Sequence, residues 1–226
     1  MADVNTRHTP DLSHHLKQGL AWLSVSEEGE NTTAISYAGL ELRFAIERLA
    51  IHYWIALLDR KLEAHDIHDI GSFKRIENRI YELGGHQKEI DDHFEFMRIV
   101  HGALKIDGSF STPHMGKLSK YWHACSEYCH IAWPLSCSLQ EARNDAFENL
   151  TEIATDLTAN IRSLGWPILK DVAFVELRNN YINGEISSDD VLKYLKKIGV
   201  WAVVKPSGEA PAQFVGTPIP PDSNTE

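Results

Sequence analysis

One segment constrains the fold more than any other, because the chain from Thr32 or Thr33 to about Leu62 has the pattern of a single long helix. It contains no proline and one glycine, Gly39. Its apolar residues cover most of the helix circumference: Tyr37, Leu40, Leu42, Phe44, Ile46, Leu49, Ile51, Tyr53, Trp54 and Leu57. A helix that is apolar on nearly every side lies in the interior of a protein. We therefore predict an α-helical fold organised around this central helix.

The rest of the chain supplies further helices, with apolar residues that recur at helical spacing. Asp11 can cap the first of them, which runs from Leu12 to Leu23. After the central helix the pattern predicts four more, at 73–83, 89–104, 114–131 and 138–164. Five or six helices with short connections are typical of an up-and-down helical bundle. We assign residues 11–165 to this mainly α bundle domain.

The pattern changes after the bundle, and residues 166–204 are predicted to form a small C-terminal appendage. A helix is expected at 168–182, with a strand at 171–178 as the alternative. Ser187–Asp190 has the form of a capping box that starts another helix. Val200–Val204 can form a short extended strand. The appendage is therefore predicted to be helical or α/β.

Both ends of the chain are predicted to lie outside the folded domains. Residues 1–10 form a polar leader. From Lys205 onward the composition turns to Pro, Gly and Ser, which cannot supply a packed core. Residues 205–226 are therefore predicted to be a disordered tail.

Composition excludes several classes of protein. Hydrophobic residues make up 43% of the 226 residues and charged residues 24%, which is the balance of an ordinary globular chain. Acidic residues exceed basic ones by 32 to 22, and the formal charge of −10 opposes broad, non-specific binding to nucleic acid. The N-terminus lacks the apolar core of a signal peptide, and no apolar run reaches the length of a membrane span. We expect a cytoplasmic protein without a membrane segment.

The central helix also carries charged residues, which are the first candidates for function. Glu41, Arg48 and His52 are seven and four residues apart, so they lie on one stripe. Arg43 and Glu47 form a second pair on a neighbouring stripe. Charges on such a helix are either internal salt bridges that set its register or the lining of a polar cleft. In a cleft, His52 could shuttle protons and Arg48 could hold an anion, so we single out the first stripe as the catalytic candidate.

The segment Tyr37–Leu49, YAGLELRFAIERL, resembles the opening long helix of HEPN-like helical proteins. These bundles are frequent in bacterial defence and toxin–antitoxin systems, and the resemblance covers about residues 32–165. It implies a homodimer. In some members it also implies a metal-independent RNase, in which an Arg-x(4–6)-His motif is gathered across the dimer. The Arg of that motif holds phosphate and the His supplies acid–base chemistry.

Among the Arg–His pairs of this chain that have the motif spacing, two are candidates. Arg79 with His86 is the rival to the stripe on the central helix, and Arg60 with His65 is the other pair. Arg143 is followed by Asn, as at the start of the family motif, but no His lies at the required distance. Two functions therefore stay open. We favour a non-catalytic interaction or regulatory protein that binds a protein partner, and the alternative is a metal-independent ribonuclease that binds RNA.

Metal binding is a further hypothesis, raised by Cys125, Cys129 and His130 on one predicted helix. A structural zinc site usually draws two ligands from each of two segments, and His65 with His68 could supply the second pair. Helical cysteines are more often small buried apolar residues than metal ligands. We predict no metal and no cofactor.

Overall fold

The part of the chain that the structure describes consists of nine helices, a short 3-10 turn and two short strands. The computed structural model describes residues 11–58, 60, 63–105, 111–130, 139–162, 167, 169, 171–198, 203–204 and 213–214. The helices are α1 (Leu12–Ser24), α2 (Thr32–Leu58), α3 (Ala64–Ile70), α4 (Phe73–Gly84), α5 (Gln87–Leu104), α6 (Met115–Tyr128), α7 (Gln140–Arg162), α8 (Val172–Ile182) and α9 (Ser188–Ile198). The strands are β1 (Val203–Val204) and β2 (Gln213–Phe214). The prediction of a mainly α helical bundle is confirmed.

The chain divides into two compact units. The first consists of Met1–Leu83 and His114–Leu164, and the second of Gly84–Pro113 and Gly165–Glu226. Each unit is therefore assembled from two separate stretches of sequence.

The long helix α2 is the centre of the first unit, as predicted. Helices α1, α6 and α7 pack along it. Its buried apolar residues are Ala34, Ile35, Ala38, Leu42, Ala45, Ile46, Leu49, Ala50, Tyr53 and Trp54. The prediction of burial on nearly every side is wrong for one face, because Tyr37, Phe44 and Ile55 are 47%, 37% and 38% exposed. The helix ends at Leu58, and its predicted end at Leu62 lies outside the described residues.

Two glycines let the neighbouring helices approach α2 closely. A Cβ atom on Gly19 of α1 would lie 2.8 Å from Cδ2 of Leu42. A Cβ atom on Gly39 of α2 would lie 3.2 Å from the carbonyl oxygen of Cys125 in α6. At these crossings the interior is too closely packed for a larger side chain to enter without displacing its neighbours. The single glycine of the central helix thus marks its contact with α6.

Helix α3 is not predicted from the sequence. It is short, and polar contacts hold its first turn in place: the Glu63 N–H donates to Asp66 Oδ2 at 2.7 Å, and Asp66 is buried. An element defined by charged groups carries little apolar periodicity. The pattern of hydrophobic residues therefore does not reveal it.

The second unit is built from α5, α8 and α9. Helices α8 and α9 both contact α5, and the three share an apolar core: Phe96, Met97, Val100, Leu104, Leu177, Val191 and Leu195. This division differs from the predicted one, in which α5 belongs to a bundle at 11–165 and an appendage begins at 166. The strand alternative at 171–178 is wrong, because helix α8 covers those residues from Val172 onward.

Local signals in the C-terminal part are largely confirmed. The Ser187 N–H donates to Asp190 Oδ2 at 3.0 Å, and the Asp190 N–H donates to Ser187 Oγ at 3.3 Å, so the predicted capping box starts α9. Strand β1 falls within the predicted extended segment Val200–Val204 and pairs antiparallel with β2. The predicted leader (1–10) and, apart from β2, the predicted tail (205–226) lie outside the described residues. Within the described part of the chain, no helix combines the length and hydropathy needed to cross a bilayer.

Candidate functional site

Glu41, Arg48 and His52, the polar residues singled out on the central helix, lie on its exposed side. They share that side with the three exposed apolar residues of the helix. We call this set the outer face of α2: Tyr37, Glu41, Phe44, Arg48, His52 and Ile55. His52 is exposed, and Glu41 and Arg48 are half-buried. The residues recur every three or four positions, so they form one ridge along the helix. The predicted stripe is therefore part of a mixed apolar and charged surface.

Glu41 has a partner on another helix. Its Oε2 lies 2.7 Å from Nδ1 of His15 in α1, and both side chains are largely shielded from solvent. The His15 ring centroid also lies 5.3 Å from that of Phe44. In the described segments no hydrogen bond or ion pair joins Glu41 to Arg48 or His52. The His15–Glu41 pair links α1 to α2. Glu41 is therefore engaged with α1, and it does not pair with Arg48 or His52, the other two members of the predicted catalytic set, in the described segments.

Arg48 and His52 are electrostatic neighbours. The pKa of His52 is lowered, mainly because the imidazole is partly buried. The nearby carboxylate of Asp11 raises this pKa and the positive charge of Arg48 lowers it, but both effects are smaller than that of burial. Asp11 caps α1 as predicted, since its side chain accepts from the His14 N–H at 2.7 Å. Arg48 makes no hydrogen bond or ion pair with any residue that the structure describes. The pair thus presents a neutral imidazole beside a guanidinium that has no partner among those residues.

The neighbouring stripe on α2 has a structural role. Arg43 Nε donates to Glu47 Oε1 at 3.2 Å, which confirms the predicted pair. The indole N–H of Trp122 in α6 donates to the same oxygen at 2.7 Å, and the Arg43 guanidinium lies 4.6 Å from the Trp122 ring centroid. Phe73 of α4 stacks on Trp122 with ring centroids 5.6 Å apart. These contacts join α2, α4 and α6, and they give this charge pair a structural role.

The rival pair, Arg79 and His86, is divided between the two units. Arg79 Nε donates to Asp69 Oδ2 at 2.9 Å and its Nη1 donates to Glu82 Oε2 at 2.7 Å. His86 is the residue that precedes α5 in the second unit, and its N–H donates to Glu89. Arg79 is therefore engaged by two carboxylates of its own unit.

The second motif pair, Arg60 and His65, converges on one carboxylate. Arg60 Nη1 and Nη2 donate to Asp66 Oδ2 and Oδ1 at 2.7 and 3.0 Å, and His65 Nε2 lies 3.3 Å from Oδ1. The hydrogen bonds from Arg60 and from the Glu63 N–H lower the pKa of Asp66 to about 2. Both Arg60 and His65 are exposed. The structure thus brings this Arg–His pair together, with the guanidinium already bound in a bidentate ion pair.

Cys125 of α6 and Cys129, the residue that follows this helix, are arranged as packing residues. Burial raises the pKa of Cys125 to about 12 and that of Cys129 to about 11, so both thiols are protonated at neutral pH. Cys129 Sγ lies 3.0 Å from the Cys125 carbonyl oxygen. Among the described residues, no three His, Cys, Asp or Glu side chains are grouped so that they could hold a metal ion.

Two residues that matter for these clusters are not identified by the sequence. His15 occupies a position on the apolar stripe of α1, so the sequence pattern indicates only that it packs against a neighbouring helix. Its contact with Glu41 could not be predicted, because it depends on α2 lying beside α1. Asp66 lies between two histidines and draws attention only as a metal ligand. The spacing of Glu63 and Asp66 is the one signal that could have pointed to the start of a helix there.

No known protein family matches the chain, and no curated protein or solved structure is significantly similar to it.

Proposed function

We propose that this chain is a HEPN-like helical protein that acts by association, as a non-catalytic interaction or regulatory module in a bacterial defence or stress context. The observation that carries the proposal is the state of the motif arginines. Arg60 is bound by Asp66, and Arg79 by Asp69 and Glu82. Before Arg60 or Arg79 could hold a phosphate, it would have to break a charge-assisted hydrogen bond to one of these carboxylates and form one to the phosphate instead. This arrangement opposes catalysis at both motif pairs.

The outer face of α2 supports the association that we propose. It exposes Tyr37, Phe44 and Ile55 beside the charged residue Arg48. Aromatic residues and arginine are the residue types enriched in protein interfaces. The formal charge of −10 would favour partners whose surfaces complement it. We propose a cytoplasmic homodimer that binds a protein partner.

The alternative function is a metal-independent ribonuclease. It is favoured by the neutral His52 beside Arg48, which has no hydrogen-bond or ion-pair partner among the described residues. In this pair the imidazole would exchange protons with the reacting groups, and the guanidinium would stabilise charge on the phosphate. The outer face of α2 would then line a groove for RNA.

An RNA cleavage assay in the presence of EDTA decides between the two functions. The proteins are the wild type, His65→Ala, His52→Ala, His86→Ala and the matched control His123→Ala, which removes an exposed histidine of α6. Circular dichroism verifies that each variant is folded. We expect no cleavage by the wild type. Metal-independent cleavage that one of the three test variants abolishes, and that His123→Ala retains, would contradict the association proposal and identify the catalytic histidine.

A further inference from the structure

We infer that the outer face of α2 docks antiparallel on the same face of a second copy of the chain, with Glu41 of each copy opposite Arg48 of the other. This inference rests on the proposed association function, and it adds the surface and the register of the homodimer. It follows from the order of residues along the ridge.

The outer face of α2 is complementary to itself under two-fold rotation. In a two-fold interface, if one residue contacts a second, then the second contacts the first in the other copy. Glu41 and Arg48 lie equally far on either side of a point just after Phe44. A copy rotated about that point therefore places each carboxylate against a guanidinium. Tyr37 and His52 are related by the same point, so an aromatic ring meets an imidazole at both ends.

The centre of this arrangement is apolar. Phe44 is exposed and lies next to the rotation axis, so the two Phe44 rings would meet there. An aromatic centre surrounded by charged pairs is the usual layout of a specific interface. The ridge from Tyr37 to Ile55 is roughly 27 Å long at 1.5 Å per residue. It is therefore long enough to present all five contact levels at once: the two Tyr37–His52 contacts, the two Glu41–Arg48 contacts and the central Phe44 contact.

The charges select the antiparallel orientation. In a parallel pair in register, Glu41 would face Glu41 and Arg48 would face Arg48, and like charges in such positions repel. In the antiparallel pair both contacts are attractive. Arg48, which has no hydrogen-bond or ion-pair partner in the described part of its own chain, would gain one. His15 already holds Glu41 in position from the α1 side, so the carboxylate is oriented before association.

The expected affinity is modest. We expect one helix ridge and its flanks to bury less than the roughly 800 Å² per partner that stable complexes bury. We therefore expect a dimer that dissociates in the micromolar range, and we choose a protein concentration of about 100 µM for the assay.

Sedimentation velocity tests the register through a charge swap. The proteins are the wild type, Arg48→Glu, the double variant Glu41→Arg with Arg48→Glu, and the control Lys120→Glu, which makes the same charge change on an exposed position of α6. We expect Arg48→Glu to weaken the dimer about tenfold, because each of its two ion pairs becomes a repulsion. The double variant restores the pairing in reversed polarity and should dimerise within about threefold of the wild type. Lys120→Glu should match the wild type.

Three results would overturn the inference: a monomeric wild type at about 100 µM, a dimer that Arg48→Glu does not weaken, or a double variant that does not recover. Phe44→Asp provides a second test that does not depend on the ion pairs, and it should leave only monomer. Circular dichroism on each variant verifies the fold. A dimer that persists in Arg48→Glu and Phe44→Asp overturns this surface alone. Failure of the association function itself is read separately, as metal-independent RNA cleavage.

Discussion

Two arginines on α2 should differ sharply in what they contribute to stability. Arg43 forms an i,i+4 ion pair with Glu47, worth about 0.3–0.5 kcal/mol, and a cation–π contact with Trp122, worth about 0.5–1 kcal/mol at a partly exposed site. Arg43→Ala should therefore lower the free energy of unfolding by roughly 0.8–1.5 kcal/mol. Arg48 has no such partners among the described residues, and Arg48→Ala should change it by less than about 0.5 kcal/mol.

Urea unfolding followed by tryptophan fluorescence measures both differences, because Trp122 lies in the Arg43 cluster. The two variants make the same chemical change in the same helix, so helix propensity, which is similar for Arg and Ala, does not separate them. If the two variants lose equal free energies of unfolding, or if Arg48→Ala loses more, then Arg43 is not the structural arginine of α2. Such a result would also contradict the inference that Arg48 contributes to association and not to folding.

Three further results are expected. The pKa of Asp66 is lowered to about 2 in the folded protein. The stability that its carboxylate contributes is therefore complete above its unfolded pKa of about 4 and is lost as the pH falls through 2. The free energies of unfolding of the wild type and Asp66→Asn, measured in urea, should differ at pH 7 and converge near pH 2. Because their pKa values are raised, Cys125 and Cys129 should react slowly with iodoacetamide at pH 8 in the folded protein, and rapidly in urea, as mapped by mass spectrometry. Gly19→Val should lower the free energy of unfolding by about 2 kcal/mol, because the side chain would overpack against α2. The control is Gly116→Ala, where a Cβ meets no atom within 4 Å, and thermal melts should show no loss of stability in this variant.

The central helix could be predicted because its evidence is local. A long run without proline, apolar on most sides, admits few structures other than a helix at the centre of a bundle. Its exposed face could not be predicted, since the residues on that face, Tyr37 and Phe44, are as apolar as their buried neighbours. Exposure depends on how many helices surround α2. That number follows from the packing of segments far apart in the chain.

The same reason explains why the pattern of α5 does not identify the helices that pack against it. Phe94, Met97 and Val100 give it an apolar side, but periodicity records only that a side is covered and does not identify what covers it. In the structure the C-terminal helices α8 and α9 cover part of it. The candidate site shows the same limit, because Glu41 and His52 share a stripe in sequence while the contacts of Glu41 are made with α1.

The most direct test of the account is a cross-linking experiment that reads the register of α2 against α2. Tyr37→Cys and His52→Cys are treated with a short bismaleimide, separately and as a mixture, beside the wild type as the control for native cysteines. In the antiparallel dimer residue 37 of one copy faces residue 52 of the other, while identical positions lie about 22 Å apart along the helix. We predict a covalent dimer in the mixture and none above the wild-type level in either variant alone. Cross-linking of one variant with itself, or no cross-linking in the mixture, would contradict the account.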